Sequence, residues 1–480
     1  MASPQSVAVG ADRERPGSQR GVLAALGLGV FMAALDLTIV TPAFPVLERE
    51  LHVSARAIAW VIGIYALCNI VGQPTLAAVA DRRGRRLVFL ASVTAFGAGS
   101  FVAALSRGMP LLLAARAIQG FGAGGIFPTA NAMVPDVFPP ERRGLAYGVT
   151  GSLWGVAAVI GPSLGGFLTQ HASWHWIFLV NVPLALLVAT VGLRTLPGSP
   201  PARRGRFDIR GVAFLTLAVV GLMGALNGVR GDDLWRSLAS PEVLGAAALF
   251  VVAAALFVVA ERRAPAPVVP FRLYRSRELR IADGLGAVAG LVESGLVFLP
   301  TFAVVALGFS TEASGYFLTP VALTLGFATP VVGRVLDRSG PRPVLIAGTL
   351  TTAAALLFLG TAVASPATFL LALIVGGIGL ASLLGTPLRY MTANAVAPEE
   401  RATGMALLSI ATNVGIAAGS ALLGAIIASR PADPEAGLRW AYLTLAVIAA
   451  AAALPAAFIP PRPAQHAPEA TAPAETLAGR

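Results

Sequence analysis

An all-α polytopic membrane fold is what this sequence predicts, on three observations. Of its 480 residues, 56% are hydrophobic and 12% charged, where a soluble domain averages about 25% charged. Apolar runs long enough to cross about 30 Å of hydrocarbon recur along the whole chain. They are continuous rather than alternating, which disfavours a β-barrel. The mean hydropathy of +0.76 agrees.

Fourteen candidate spans follow in order, near 21–47, 57–80, 87–106, 110–134, 144–169, 175–196, 210–229, 242–260, 281–305, 313–335, 343–363, 367–390, 403–428 and 439–459. The polar stretch 1–20 reads as a disordered tail. The apolar run after it exceeds the 7–15 residues of a signal-peptide core, so it reads as an anchor that is kept. The stretches 197–210 and 261–280, rich in Pro and Arg, read as polar linkers around spans 7 and 8. The tail 460–480, rich in Pro and Ala, reads as disordered.

The net charge is +11, and the chain contains no lysine. With the N-terminus inside, 26 arginines fall in inside segments and 7 in outside loops. That is the bias of the positive-inside rule, so the charge calls for no nucleic-acid partner. An even span count returns the C-terminus to the same side. Without lysine there is no Walker A motif and no Schiff-base site. Cys68 has no partner for an intrachain disulfide. His52, His171, His175 and His466 lie in connections or the tail, so no bis-histidine haem site is expected in the membrane. No cofactor, metal or enzyme activity is expected.

The chain contains an internal repeat. AAVADRRGRR (77–86) aligns with GRVLDRSGPR (333–342), and FPPERRG (138–144) aligns with VAPEERATG (396–404). In each case the first motif joins the second span of a half to its third, and the other joins the fourth to the fifth. Spans 1–6 (21–196) and 9–14 (281–459) are therefore parallel repeats. Spans 7 and 8, within 197–280, form an insert.

Five patches carry a family resemblance. LDLTIVTPAFPVL (35–47), ADRRGRR (80–86), RAIQGFGAGG (116–125), GPSLGG (161–166) and SWHWIFLVNVPLAL (173–186) lie in order on spans 1–6. Together they resemble the fourteen-span drug:proton antiporter branch of the major facilitator superfamily. Ala77 stands where the loop motif usually opens with Gly; the second copy keeps Gly333. The resemblance implies two six-helix bundles with two extra helices between them, and a site at their interface.

A carboxylate within a span costs about 2.5–3.5 kcal/mol on insertion scales, so Asp36 is a functional candidate. Arg116 cannot realistically lose its proton and must pair; Asp36 is the partner to test. Glu293, midway along span 9, is the third candidate for proton coupling, and would also neutralise a cationic substrate. Asp283 reads as a snorkelling or capping residue. Tyr65, Asn69, Gln119, Trp154, Glu293, Phe298, Tyr316, Phe317 and Asn413 are expected to line a substrate pocket; an apolar, aromatic site suits amphipathic molecules. By resemblance, Asp81, Arg82, Gly84, Arg85, Asp337, Arg338 and Gly340 form the conformational switch, with Asp81 at a helix N-terminus. Gly161, Pro162, Gly165 and Gly166 belong to a helix that occludes the cavity.

The expected protein is a proton-coupled exporter of hydrophobic or cationic small molecules. It is expected as a monomer in a bacterial cytoplasmic membrane, with both termini cytoplasmic and a GC-rich source. The alternative is a transporter of the same fold carrying a lipid, amino acid or siderophore. A membrane enzyme or a receptor fits less well, since no segment is long enough for a soluble domain.

Overall fold

The computed structural model describes residues 16–198, 208–228, 236, 239–264, 267–310 and 317–460. Among these residues there is no strand, and thirteen helices are long and apolar enough to cross a membrane. A further apolar helix, Ile209–Gly228, makes fourteen. In chain order they are α1 (Pro16–Ile39), α2 (Ala55–Arg83), α3 (Arg85–Ala104), α4 (Met109–Val137), α5 (Pro140–His171) and α6 (His175–Thr195). Then come α7 (Ile209–Gly228), α8 (Pro241–Arg263), α9 (Arg277–Leu307) and α10 (Leu318–Ser339). The last four are α11 (Pro341–Thr361), α12 (Pro366–Ala395), α13 (Arg401–Ala428) and α14 (Pro434–Ala457). Helices dominate because hydrocarbon offers no partner for a free N–H or C=O, and a helix pairs them within one segment.

One boundary differs from the expectation. Helix α1 begins at Pro16, so residues 16–20 are helical rather than part of a tail. A proline in the first turn loses no hydrogen bond and presets φ for the helix. The rest of the expected N-terminal tail, residues 461–480 of the C-terminal tail, residues 199–207 of the first linker, and Tyr316 lie outside the described residues.

The repeat is visible in the packing. Helix α1 packs on α5 as α9 packs on α13, and α2 on α4 as α10 on α12. The most extensive contacts between the halves are α5 along α10 and α13 along α2. Small residues make this closeness possible. A Cβ on Gly148 would lie 2.8 Å from Pro330 Cα, and one on Gly155 2.8 Å from Ala322 O. Helices α7 and α8 pack on each other, and α7 also contacts α2.

Gly84 (φ 100°) and Gly340 (φ 79°) close the tight α2–α3 and α10–α11 turns. Positive φ there suits only glycine, which explains why both copies of the motif keep it. These turns, with the starts of α5 and α13, share one end of the molecule, called here the Asp81 end.

Candidate functional site

At the Asp81 end the halves grip each other twice. Asp81, at the end of α2, accepts hydrogen bonds from Ala402 N (3.1 Å), Thr403 N (2.8 Å) and Thr403 Oγ1 (2.8 Å) at the start of α13. Asp337, at the end of α10, accepts from Gly144 N (2.7 Å) and Leu145 N (2.9 Å) at the start of α5. Each carboxylate thus accepts from backbone amides near the start of a helix, where negative charge is favoured; Ala402 and Thr403 are in the first turn of α13, Gly144 and Leu145 in the second turn of α5. Arg85 pairs with Asp81 (3.3 Å) and with Asp136, and donates to Pro398 O. Arg401 reaches Asp136 at 3.0 Å, and Arg143 reaches Asn394 Oδ1 at 3.1 Å. Arg82 donates to Pro267 O.

The structure brings Asp36 and Arg116 together inside the first bundle. Arg116 Nη1 lies 2.5 Å from Asp36 Oδ2, with both side chains 0% exposed. Gln119 Nε2 (3.1 Å) and Asn181 Nδ2 (3.0 Å) donate to Asp36 Oδ1. Gln119 also accepts from Arg116 (3.1 Å) and donates to Ser100 Oγ (2.7 Å). Arg116 Nε donates to Val61 O, and its guanidinium sits 4.3 Å from the centre of the Tyr65 ring. A buried charge pair needs such partners, and among the described residues Arg116 Nη2 is the guanidinium nitrogen left without a hydrogen bond.

Between the halves lies a cavity of about 270 Å³. Tyr65, Asn69, Gln73 and Trp154 line it from the first half; Glu293, Thr329, Arg389 and Asn413 line it from the second. Tyr65 both lines the cavity and lies against the Arg116 guanidinium, so it touches cavity and ion pair alike. Gln73 donates to Asn69 Oδ1 at 2.8 Å. Gln119, Phe298 and Phe317 do not line the cavity. Gln119 belongs to the Asp36 network, and the two phenylalanines pack against the core of the second bundle. Asp283 is buried near the start of α9.

Arg389 was not singled out by sequence reasoning, which placed it at a span edge. It lines the cavity with Glu293 and interacts electrostatically with it. Its signal was available, since an arginine within a span always requires a reason. Both wall helices are irregular beside their charge. Helix α9 tightens to a 3₁₀ turn at Ser294–Phe298, just after Glu293. Helix α12 widens to a π turn at Ala381–Gly385, just before Arg389. Pro300 and Pro387 supply the cause: each removes the hydrogen bond to the carbonyl four residues back, and the helix readjusts.

Helix α5 is wedged between α1 and α10. A Cβ on Gly161 would strike the Thr38 hydroxyl, and one on Gly165 the carbonyl of Ile39; Gly166 faces open space. Thr38 Oγ1 also donates to Ala157 O at 3.1 Å.

A largely apolar cavity with a few charged and amide side chains, set between two repeated helical bundles latched at one end, defines a multi-pass membrane transporter. Comparison with known proteins agrees. The family model of the Major Facilitator Superfamily matches residues 26–322 and 284–478. The chain belongs to this superfamily. It is 32% identical to the tetracenomycin C resistance and export protein of Streptomyces glaucescens, over 88% of this chain and 78% of that one. It is 30% identical to multidrug resistance protein 3 of Bacillus subtilis, over 85% of this chain and 80% of that one. The crystal structure of the human organic anion transporter MFSD10 shares the fold, with a TM-score of 0.67 at 19% identity, over 92% of this chain and 100% of that one.

Proposed function

We propose that this protein exports hydrophobic or cationic small molecules, such as antibiotics, drugs or secondary metabolites, in exchange for protons. The observation that carries this reading is Glu293. It is a carboxylate within a span, on the wall of a cavity that aromatic and amide side chains complete. Such a group costs free energy to keep in a membrane, and it can hold either a proton or a cationic substrate, not both at once. Relatives named for multidrug resistance and for tetracenomycin C export support this cargo class.

The Asp36–Arg116–Gln119–Asn181 network is the second coupling element. Protonating Asp36 would cancel the charge that holds Arg116, and Tyr65 would carry the change to the cavity wall. The arginine bias supports a cytoplasmic Asp81 end. The conformation described is then closed to the cytoplasm, and the two aspartate latches let go as the halves rock inward. The protein works as a monomer in the cytoplasmic membrane, with both termini inside.

The decisive experiment is transport in inverted vesicles, with a panel of dyes and antibiotics, with and without a pH gradient. Accumulation of at least one compound that collapses with the gradient is expected. If no compound moves protons, and both Glu293→Gln and Asp36→Asn leave transport unchanged, the antiport reading fails.

A further inference from the structure

Neither α7 nor α8 lines the cavity, yet the chain leaving α8 runs across the seam between the halves. Residues 261–280 read as a polar linker, but Val268, Val269 and Leu273 are buried, Val268 completely. They pack in one cluster with Ala78 of α2 and with Leu279, Val396 and Leu407 of the second half. Polar contacts fix the segment at three points. Arg82 Nη2 of α2 donates to Pro267 O at 3.1 Å. Glu261, near the end of α8 and buried, accepts from Val268 N (3.2 Å) and Val269 N (3.1 Å), one with each oxygen. Arg272 pairs with Glu400, just before α13.

These attachments belong to different bodies. Helix α7 packs on α2 and α8 packs on α7, so the insert moves with the first half. The segment itself passes through a 3₁₀ turn (Phe271–Arg275) into α9, and Glu400 holds it, so it moves with the second. Opening the Asp81 end separates α2 from α13. The segment cannot then keep both sets of contacts. Glu261 sits where the two bodies meet, and the two amides it holds are those of residues buried in one cluster with Ala78.

We propose that residues 267–275 form a bolt across the Asp81 end, withdrawn each time that end opens, and that Glu261 is the positioning residue that seats it. This gives the two extra helices a part in gating. The inference goes beyond the transport reading, because it specifies neither cargo nor coupling ion.

The test needs no substrate. A Ser409→Cys reporter on the cavity wall is built in a Cys68→Ser background. A membrane-impermeant maleimide then reaches it from the Asp81 side of sealed vesicles only while that end is open. Glu261→Ala is expected to speed labelling from this side about tenfold, the scale of losing hydrogen bonds to a charged group. Labelling from the opposite side should slow. Unchanged rates on both sides would overturn the proposal.

A second variant covers the case in which Glu261→Ala misfolds. Ala78→Cys with Val269→Cys, added to the reporter protein and joined by a reducible bridge before labelling, should abolish labelling from the Asp81 side. Reductant should restore it. A bridged protein that still opens at the unbridged rate would show that the bolt need not move.

Discussion

Asp81 and Asp337 make the same contact in opposite directions: each caps the fifth helix of the other half. The donor residues also match across the repeat. Ala402 and Thr403 stand where Gly144 and Leu145 stand in the other copy. The surroundings differ, though. Asp81 is backed by Arg85, Asp136 and Arg401 in a chain of charges. The second copy has Pro341 in place of Arg85 and Asn394 in place of Asp136, and there Arg143 hydrogen-bonds to the neutral Asn394 instead of an aspartate.

This asymmetry makes the two latches unequal. Asp81→Asn is expected to cut transport at least tenfold while leaving membrane insertion intact. Asp337→Asn should cut it less, because fewer charge-assisted hydrogen bonds depend on it. Transport rates normalised to the amount of protein in the membrane check this. Equal losses would place the two latches on the same footing, and poor insertion of Asp81→Asn would assign the motif to topology.

Removing one partner of the Asp36–Arg116 pair leaves a buried, uncompensated charge, at a cost of about 3–5 kcal/mol. Asp36→Asn should therefore lower the thermal midpoint of the detergent-solubilised protein and abolish transport driven by a pH gradient. The double variant Asp36→Asn/Arg116→Gln should regain much of the midpoint and none of the coupling. A double variant no more stable than the single would mean that the pair does not govern packing there.

Much of this molecule was legible before any coordinates. The spans stood out because hydrocarbon demands long apolar runs, and the repeat because both latches conserve the same turn chemistry. The face a residue presents was harder to read. Helix α4 is apolar on all sides, so nothing in its periodicity said whether Gln119 points to the cavity or to Asp36. Phe298 lies in a stretch that tightens to 3₁₀, which turns it from the direction a regular helix would give. The segment 267–275 was hidden by its prolines, which read as linker, and by Arg272 and Arg275, which face solvent while Pro270 is buried with the valines. Val268, Val269 and Leu273, the apolar residues it buries in the shared cluster, are too few to register as a core.

Glu293 and Arg389 share one cavity, and their charges are expected to set what can enter it. Glu293→Gln should flatten the pH dependence of transport and weaken cationic dyes more than neutral ones. Arg389→Gln should do the opposite for cations. It removes a repelling guanidinium, and apparent KM for a permanently cationic dye should fall by roughly fivefold, about 1 kcal/mol of coulombic repulsion across the cavity. Competition between a cationic and a neutral dye in vesicles measures both. A cation KM unchanged in both variants would remove this pair from substrate recognition.

Gly165 and Gly166 are neighbours on α5 with opposite surroundings, and they test what the glycines of GPSLGG are for. Alanine in a helix interior is ordinarily more stable than glycine by about 0.5–1 kcal/mol. At Gly166 nothing lies within 4 Å of the added carbon, so Gly166→Ala should be neutral or slightly stabilising, with normal transport. At Gly165 the added methyl would meet the Ile39 carbonyl, a backbone atom that cannot turn aside. Overpacking of this kind costs about 1–3 kcal/mol and forces helices apart. Gly165→Ala should lower the thermal midpoint and slow transport by loosening α5 from α1. If Gly165→Ala matches Gly166→Ala in both measurements, close packing of α5 on α1 is not what these glycines provide.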